Sequence, residues 1–211
     1  MAEYNSDEER FAAVINFFKD YKTTILSSLA IIFISLISII SFQSYKETRN
    51  SDAATIYDSW LTALESNNEG AEQIFDELQD TFSGTGYAQL AIMINGSNFA
   101  RRGNLSEALE NFRRLSDDTS GYFGNNLLNS VAKINIARIE LSNKNFINVL
   151  EVLDSFASTS EHPMVYEIKG DALVGLEKKE LAIEQYELAI ENASNESQKS
   201  ILNIKINSIE L

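Results

Sequence analysis

A fixed spacing of small and large residues recurs three times over residues 96–189 of this 211-residue chain. In the first set, Gly96, Ala108, Phe112 and Leu115 are separated by 12, 4 and 3 positions. The same gaps separate the members of two later sets: Ala137, Val149, Leu153 and Phe156, then Gly170, Ala182, Tyr186 and Ala189. The spacing predicts a repeat architecture, in which each unit buries its apolar face against its neighbours.

Each repeat is typical of two helices that cross closely. A small residue on the first helix lets the second helix approach, and a large residue further along the second helix fills the space to the next unit. Short polar turns separate the two helices: Arg102-Gly103-Asn104, Ser142-Asn143-Lys144-Asn145 and Glu177-Lys178-Lys179. A helix–turn–helix unit of about 34 residues resembles the tetratricopeptide repeat. We therefore expect Phe112, Leu153 and Tyr186 to face the core.

Further helices flank the three repeats. Residues 53–64 and 71–78 predict a degenerate helix pair, joined by a turn at Asn67-Asn68-Glu69-Gly70. Residues 201–209 predict a capping helix, which a solenoid needs to cover its last apolar face. Extra residues between the first two repeats predict a loop over 117–126. The predicted fold class is all-α: one N-terminal transmembrane helix followed by a helical repeat solenoid with a C-terminal capping helix.

An uncharged stretch precedes the repeats. No charged residue occurs from Thr23 to Tyr45, and Lys22 and Lys46 flank the stretch. A bilayer core of roughly 30 Å needs about 20 apolar residues in a helix, so residues 23–45 predict a transmembrane helix. The alternatives are a buried helix of a soluble protein and a cleaved signal peptide, but an acidic leader and the lack of an A-x-A site disfavour cleavage. Three basic residues precede the stretch and two follow it closely, so charge alone barely favours a cytoplasmic N-terminus.

Two features of the N-terminal region bear on membrane and partner contacts. Four apolar residues from Phe11 to Phe18 recur at i, i+3, i+4 and i+7, which predicts a short amphipathic helix on the membrane surface or continuous with the span. Serines cluster on one face of the span, and Ser28, Ser35 and Ser38 are the predicted packing face, since small hydroxyl residues let membrane helices approach. The alternative is that these serines donate to carbonyls of their own helix.

Composition narrows the function. With 17 basic and 31 acidic residues the net charge is −14, which disfavours nucleic acid because phosphate binding needs clustered Lys and Arg. The absence of Cys excludes disulfides, thiol nucleophiles and Cys-ligated zinc. The single histidine, His162, is expected to begin a helix at Pro163, and Gly84-Thr85-Gly86 to form a turn rather than a phosphate loop. We expect no enzymatic activity and no catalytic residue, metal, cofactor or small-molecule substrate.

Protein partners are the remaining class. Repeat solenoids bind peptides or partner helices along the groove lined by their first helices. The first-helix residues that packing is expected to leave free predict the partner-binding site: Met93, Ser97, Arg101, Ile134, Arg138, Glu167 and Asp171. The acidic surface either keeps the domain soluble or faces a basic partner.

Over its full length, the order of parts resembles the YfgM-type ancillary subunit of the bacterial SecYEG translocon. The resemblance rests on the acidic N-terminus, the segment Asn16-Phe17-Phe18-Lys19, one span near residue 25, the helix with Ala53-Ala54 and Tyr57, the loose repeats, and the ending Ile204-Lys205-Ile206-Asn207 followed by Ile209.

This resemblance implies three regions: a cytoplasmic tail over residues 1–22, an inner-membrane anchor over 23–45 and a periplasmic tetratricopeptide-like domain over 46–211. It implies Sec translocon subunits, a membrane-anchored periplasmic chaperone of the prolyl-isomerase type and exported proteins as partners. The alternative is a repeat scaffold of another envelope complex, for secretion or cell-wall assembly.

Overall fold

The computed structural model describes residues 7–66, 68–154, 156 and 162–210. These residues form ten helices and no strand, which confirms the all-α prediction. The chain divides into a smaller unit, Met1–Asp52, and a larger unit, Ala53–Leu211. In chain order the helices are α1 (Asp7–Asp20), α2 (Lys22–Glu65), α3 (Ala71–Phe82), α4 (Gly86–Arg101), α5 (Leu105–Asp118), α6 (Asn126–Ser142), α7 (Phe146–Asp154), α8 (Pro163–Gly175), α9 (Lys179–Asn192) and α10 (Glu196–Glu210).

The smaller unit contains α1 and the first part of α2. Acidic residues occupy the first turn of α1, where their negative charges interact favourably with the positive end of the helix dipole. The two helices are separated only at Tyr21, whose N–H donates to the Phe17 carbonyl at 3.0 Å and whose carbonyl accepts from the Ile25 N–H at 2.8 Å. The segment from Phe11 to Phe18 is therefore helical and continues almost without interruption into α2. Residues 1–6 of the predicted tail lie outside the described residues.

The predicted span lies within α2, and its apolar side chains are exposed on all sides of the helix. Ile31, Phe33 and Ile40 each expose more than three fifths of their side-chain surface. By length and composition α2 can cross a membrane, and a helix satisfies every backbone polar group internally, as the hydrocarbon core requires. A bilayer would therefore cover apolar surface that water solvates unfavourably.

The larger unit is a stack of helix pairs: the end of α2 with α3, which share one hydrophobic cluster, then α4 with α5, α6 with α7, and α8 with α9. The residues that define the repeat spacing lie in its interior, which confirms that Phe112, Leu153 and Tyr186 face the core. Those that are at most 2% exposed are Ala108, Phe112, Leu115, Ala137, Val149, Leu153, Ala182, Tyr186 and Ala189.

Two glycines show why a small residue opens the first and third sets. A Cβ added to Gly170 would lie 2.7 Å from Cδ1 of the Tyr186 ring, which is closer than real Cβ contacts. A Cβ added to Gly96 would lie 3.2 Å from Cζ of Phe112, a tight but less severe contact. The helices of these two pairs therefore cross at a separation that the missing side chain permits.

The turns inside the three helix pairs share one hydrogen-bond pattern, which confirms the three predicted turns. The N–H groups of Asn104, Asn145 and Lys178 donate to the carbonyl five residues earlier at 2.9 to 3.0 Å. This is the closure that ends a helix with one residue in the left-handed region. The residues with positive φ are Gly103 (82°), Lys144 (61°) and Glu177 (60°). In this region the Cβ atom of lysine or glutamate makes an unfavourable steric contact, which glycine avoids because it has no Cβ.

Aromatic rings hold the degenerate first pair together. Trp60 is 1% exposed, and its ring centroid lies 5.6 Å from that of Phe75 and 5.9 Å from that of Tyr57. Tyr57 in turn packs 5.4 Å from Tyr87 of α4. Burial, with a smaller effect of Tyr87, raises the pKa of the Tyr57 hydroxyl. These contacts join the first pair to the repeats that follow.

One predicted connection differs in extent from the structure. The loop predicted over residues 117–126 is shorter, because α5 continues to Asp118 and α6 begins at Asn126. At the C-terminus of α5, the hydroxyl of the buried Thr119 donates to the Leu115 carbonyl at 2.5 Å. In the turn after α2, Asn67 lies outside the described residues.

α10 covers the end of the stack, which confirms the predicted capping helix, although it begins before residue 201. Leu202 is fully buried and Ile209 nearly so, and both pack in one cluster with Tyr186 and Ala189. The Lys179 ammonium at the start of α9 donates to the Ile209 carbonyl at 3.0 Å. A cation at these unpaired carbonyls stabilises the C-terminal turn of a helix.

Candidate functional site

Five of the predicted partner-binding residues lie on α4 and α6, the first helices of two neighbouring pairs. On α4, Met93, Ser97 and Arg101 are spaced four residues apart and so share one face of the helix. On α6, Ile134 and Arg138 have the same relation. The Ser97 hydroxyl donates to the Met93 carbonyl at 2.8 Å. These residues therefore lie on equivalent faces of the first helices of two repeats. Their part in partner binding stays a prediction.

The chemistry of this first-helix surface is mixed. Met93 and Ile134 are partly buried and pack against core clusters of their own pairs. Arg101 and Arg138 are exposed, and the Arg138 guanidinium lies 3.0 Å from Sδ of Met164 on α8. Apolar positions beside exposed guanidinium groups suit a segment that carries both apolar side chains and carboxylates.

The two remaining predicted residues, Glu167 and Asp171 on α8, bind Lys205 of the capping helix. The Lys205 ammonium lies 2.8 Å from Oε1 of Glu167 and 2.7 Å from Oδ1 of Asp171. The Tyr186 hydroxyl donates to the same Asp171 oxygen at 2.7 Å. These carboxylates therefore take part in packing α10 onto the last repeat, whereas the sequence analysis expected packing to leave them free. Their part in partner binding stays a prediction.

The pKa values in this cluster follow from its geometry. Burial lowers the pKa of Lys205, but the hydrogen bonds and charges of Asp171 and Glu167 outweigh it, and the net shift is upward. Burial also raises the pKa of the Tyr186 hydroxyl, and its hydrogen bond to Asp171 adds to the effect. Lys205 stays cationic and Tyr186 stays neutral at physiological pH. The ion pairs and the hydrogen bond of the cluster therefore hold α8, α9 and α10 together at that pH.

Two serines of the predicted membrane packing face, Ser35 and Ser38, donate within their own helix. The Ser35 hydroxyl donates to the Ile31 carbonyl and the Ser38 hydroxyl to the Ile34 carbonyl, both at 2.8 Å. Ser28 lies seven residues before Ser35, on the same face. Because the hydroxyl protons are used internally, packing on a partner helix would depend on small side-chain size and on oxygen lone pairs. That packing stays a prediction.

An exposed aromatic pair stands in the loop between α5 and α6, a feature that the sequence analysis missed. Tyr122 is 96% exposed and Phe123 97% exposed, and their rings meet edge to face with centroids 5.0 Å apart. The backbone that carries them is closed by the Gly124 N–H, which donates to the Gly121 carbonyl at 3.1 Å. Aromatic side chains presented this way on a polar surface are typical of protein contact sites.

Residues considered as candidates for chemistry serve as helix caps. Nδ1 of His162 accepts from the Met164 N–H at 3.3 Å at the start of α8, as the sequence predicts. The Thr85 hydroxyl accepts from the Ala88 N–H at 3.2 Å and begins α4 after the turn at Gly84. Over the described ranges, no group of three or more His, Asp or Glu side chains is placed to hold a metal ion.

Comparison with known proteins agrees with this architecture. A sequence profile for the tetratricopeptide repeat-like domain matches residues 16–211. No curated protein sequence matches the chain significantly. The solved structure of MamA 41-end from Desulfovibrio magneticus RS-1 superposes with a TM-score of 0.55 at 17% identity, covering 75% of this chain and 87% of that one. The MamA RS-1 ArsTM double mutant gives 0.53 at 15% identity, covering 75% and 94%. At these identities the likeness shows the fold alone.

Proposed function

The chain belongs to the tetratricopeptide repeat-like domain family, and we propose that it is a membrane-anchored interaction subunit of the Sec translocon. Its helical repeat scaffold is suited to protein–protein interaction. The proposed role is to link the translocon to periplasmic chaperones and so assist newly exported proteins. Catalysis is not part of this role.

One observation carries the proposal: the first helices of adjacent repeats bear a row of accessible side chains on corresponding faces. Arg101 and Arg138 are exposed, and Met93 and Ile134 lie beside them partly buried. Grooves of this kind recognise extended peptides or helices through alternating polar and apolar contacts. The first-helix row is therefore the proposed partner-binding surface. Glu167 and Asp171 lie at the end of the row, where their carboxylates also pair with Lys205 of α10.

The proposed location is the bacterial inner membrane, with residues 1–22 in the cytoplasm, 23–45 as a single span and 46–211 in the periplasm. Three observations support this location. α2 is long and apolar enough to cross a membrane, slightly more basic residues precede the span than closely follow it, and the order of the regions resembles that of the translocon subunit. The same resemblance supports a prolyl-isomerase-type chaperone as a neighbour of the periplasmic domain.

The aromatic pair supplies a second proposed contact with a protein partner. Tyr122 and Phe123 together expose almost all of their ring surface on a closed turn, so little ordering entropy is lost when a partner covers them. Replacing both with Ser should leave folding unchanged, because neither ring is buried in the domain. The same change should reduce recovery of the partner that covers the pair.

The experiment is affinity purification of the tagged full-length protein from membranes in a gentle detergent, followed by mass spectrometry. The test variant is Arg101→Glu/Arg138→Glu. The control, Lys144→Glu/Lys178→Glu, makes the same charge change at two exposed turn residues. We expect the wild type and the control to recover translocon subunits and an isomerase-like chaperone, and the test variant to lose at least one of them.

Asp171 is left unchanged in this test, because its ion pair with Lys205 would confound binding with stability. If the test variant recovers every partner as well as the control does, the first-helix surface is not the binding site. If a secretion or cell-wall complex is recovered without the translocon, the chain is a repeat scaffold of that envelope complex and the Sec assignment is wrong.

A further inference from the structure

A cleft of about 690 Å³ opens between the first helix pair and the second pair of the larger unit. One wall is the start of α3, the opposite wall is α5, and the ends of α2 and α4 form the floor. The cleft exists because α3 contacts α4 much less extensively than α5 contacts α6. It lies between second helices, so it is separate from the first-helix row described above.

Apolar and aromatic side chains from α2, α3 and α4 line the cleft, beside the amide of Asn95. Phe75 of α3 and Phe99 of α4 are partly exposed and line it together with Leu64 of α2. Trp60 lies behind them, with its ring 5.6 Å from that of Phe75. A concave site of this size, lined by aromatic side chains, is large enough to bury several apolar side chains of a ligand.

Both walls of the cleft carry carboxylates. Glu72 and Asp76 are four residues apart on α3, and Glu107 and Glu110 are three apart on α5, so each pair projects from one face of its helix. All four side chains are exposed, and no ion pair joins any of them to another described residue. Two rows of unneutralised carboxylates therefore face each other across these apolar side chains.

The net charge of the residues that line the cleft favours a positively charged ligand. Glu69 adds a fifth carboxylate, and two cations, Arg102 and Arg114, bring the lining to −3 (two positive and five negative). Arg114 is itself directed to Asp118 on its own helix at 3.9 Å. An anionic segment would be repelled from both walls, whereas Lys and Arg side chains would be attracted to both.

We propose that this cleft binds a basic amphipathic helix of a protein partner. The apolar face of that helix would contact Phe75 and Phe99, and its Lys or Arg side chains would pair with Glu72 and Asp76 on one wall and with Glu107 and Glu110 on the other. This is helix-in-groove recognition, with i, i+3, i+4 and i+7 apolar anchors. The site is a second interaction surface, and its existence does not depend on the identity of the complex proposed above.

The chain provides a local reporter for the test. Trp60 is the single tryptophan of the protein, and it lines the cleft. The full-length protein is placed in phosphatidylcholine nanodiscs and titrated with a synthetic helical peptide of about 14 residues. The peptide carries Leu at the i, i+3, i+4 and i+7 positions and Lys elsewhere, and it contains no Trp or Tyr. Empty nanodiscs report peptide binding to lipid.

The test variant is Glu107→Lys/Glu110→Lys. Its matched control is Glu184→Lys/Glu187→Lys, an exposed pair at the same spacing on α9. We expect a saturable change in Trp60 emission for the wild type and for the control, with an affinity at least about tenfold weaker for the test variant. Binding should also weaken as salt is raised, since salt screens the exposed charges. Circular dichroism checks that each variant is folded.

If the test variant fails to fold, Glu72→Lys/Asp76→Lys on the opposite wall replaces it with the same expected loss of affinity. Three results would each overturn the proposal: no saturable response of Trp60, equal affinity of test and control variants, or equal affinity for a peptide in which Glu replaces every Lys.

Discussion

Arg113 and Arg114 are neighbours on α5, but their ion pairs differ in burial and in geometry. Nη2 of Arg113 lies 2.7 Å from Oε1 of Glu140 on α6, whose side chain is only 2% exposed. The same carboxylate accepts from the Asn145 amide at 2.7 Å. Nε of Arg114 lies 3.9 Å from Asp118 on its own helix, and both side chains are substantially exposed. Arg113 therefore neutralises a buried charge between two repeats, whereas Arg114 does not.

We expect Arg113→Ala to lower the free energy of unfolding by about 2 kcal/mol. Removing one partner of a fully buried pair costs about 3–5 kcal/mol, because the other charge is left buried and unpaired. Here the Arg113 side chain is 57% exposed, so water can reach the vacated position and the cost is roughly halved. Arg114→Ala should change stability by less than about 0.5 kcal/mol, as is usual for exposed pairs.

The assay is thermal unfolding of the full-length protein in mild detergent, followed by circular dichroism with reversibility checked. For a unit of this size, a loss of 1 kcal/mol lowers Tm by about 2–4 °C. Arg113→Ala should therefore lower Tm by about 4–8 °C and Arg114→Ala by less than about 2 °C. The double variant Arg113→Ala/Glu140→Leu should recover most of the loss, because no charge is left buried. Equal shifts for the two single variants, or a double variant no more stable than Arg113→Ala, would mean that Arg113 does not neutralise a buried charge.

Three further predictions follow from the helix crossings, the turns and the α10 cluster. Gly170→Ala should lower the free energy of unfolding by about 1–2 kcal/mol, although alanine favours helix, because its Cβ would clash with the Tyr186 ring. The measurement is thermal unfolding, compared with that of Gly96→Ala, where the added Cβ has more room. Lys144→Gly should stabilise by about 0.5–1 kcal/mol, because a φ of 61° suits glycine; chemical denaturation measures this. Stability should fall above pH 10, the ordinary pKa of tyrosine, because the folded chain holds the protons of Tyr186 and Lys205 more tightly than the unfolded chain; this contribution is complete at lower pH and is lost as pH rises through the raised pKa values.

Matched variants decide these three predictions. Gly170→Ala that is as stable as Gly96→Ala would mean that the Tyr186 ring yields without cost. At the turn, Asn143→Gly is the control, because its φ of −81° gives glycine no advantage; equal effects at both turn positions would contradict the left-handed argument. For the alkaline loss, replacing both Tyr186 and Lys205 should weaken the pH dependence, and the raised pKa of Tyr57 accounts for the part that remains. An unchanged curve would assign the loss to other residues.

The helices and their packing faces could be predicted because they follow from local spacing. The set opened by Gly170 placed Ala182 and Tyr186 on one buried stripe, and the structure has both in the core. The turn at Lys144 needed only a polar break between two periodic segments. Such features depend on neighbours within one helix pair, which a repeat sequence displays directly.

Contacts between distant positions could not be predicted in the same way. Lys205 pairs with Asp171 across 34 positions, and Arg113 pairs with Glu140 across 27. A lysine inside the apolar run of the capping helix was the one signal that an inward ion pair was needed. The width of the cleft beside Phe75 and the exposure of Tyr122 depend on how helix pairs and loops are oriented, which spacing does not encode.

We propose above that the first-helix surface of the anchored repeat domain contacts partners of the Sec pathway. The most direct measurement is site-specific photo-crosslinking in intact cells, with a photoreactive amino acid at Ser97, Arg101 or Arg138 and, as control, at Glu184 on a second helix. We expect crosslinks to translocon subunits or to an isomerase-type chaperone from the first-helix positions only. Crosslinks of equal yield from Glu184, or none from the first-helix positions, would contradict the proposal.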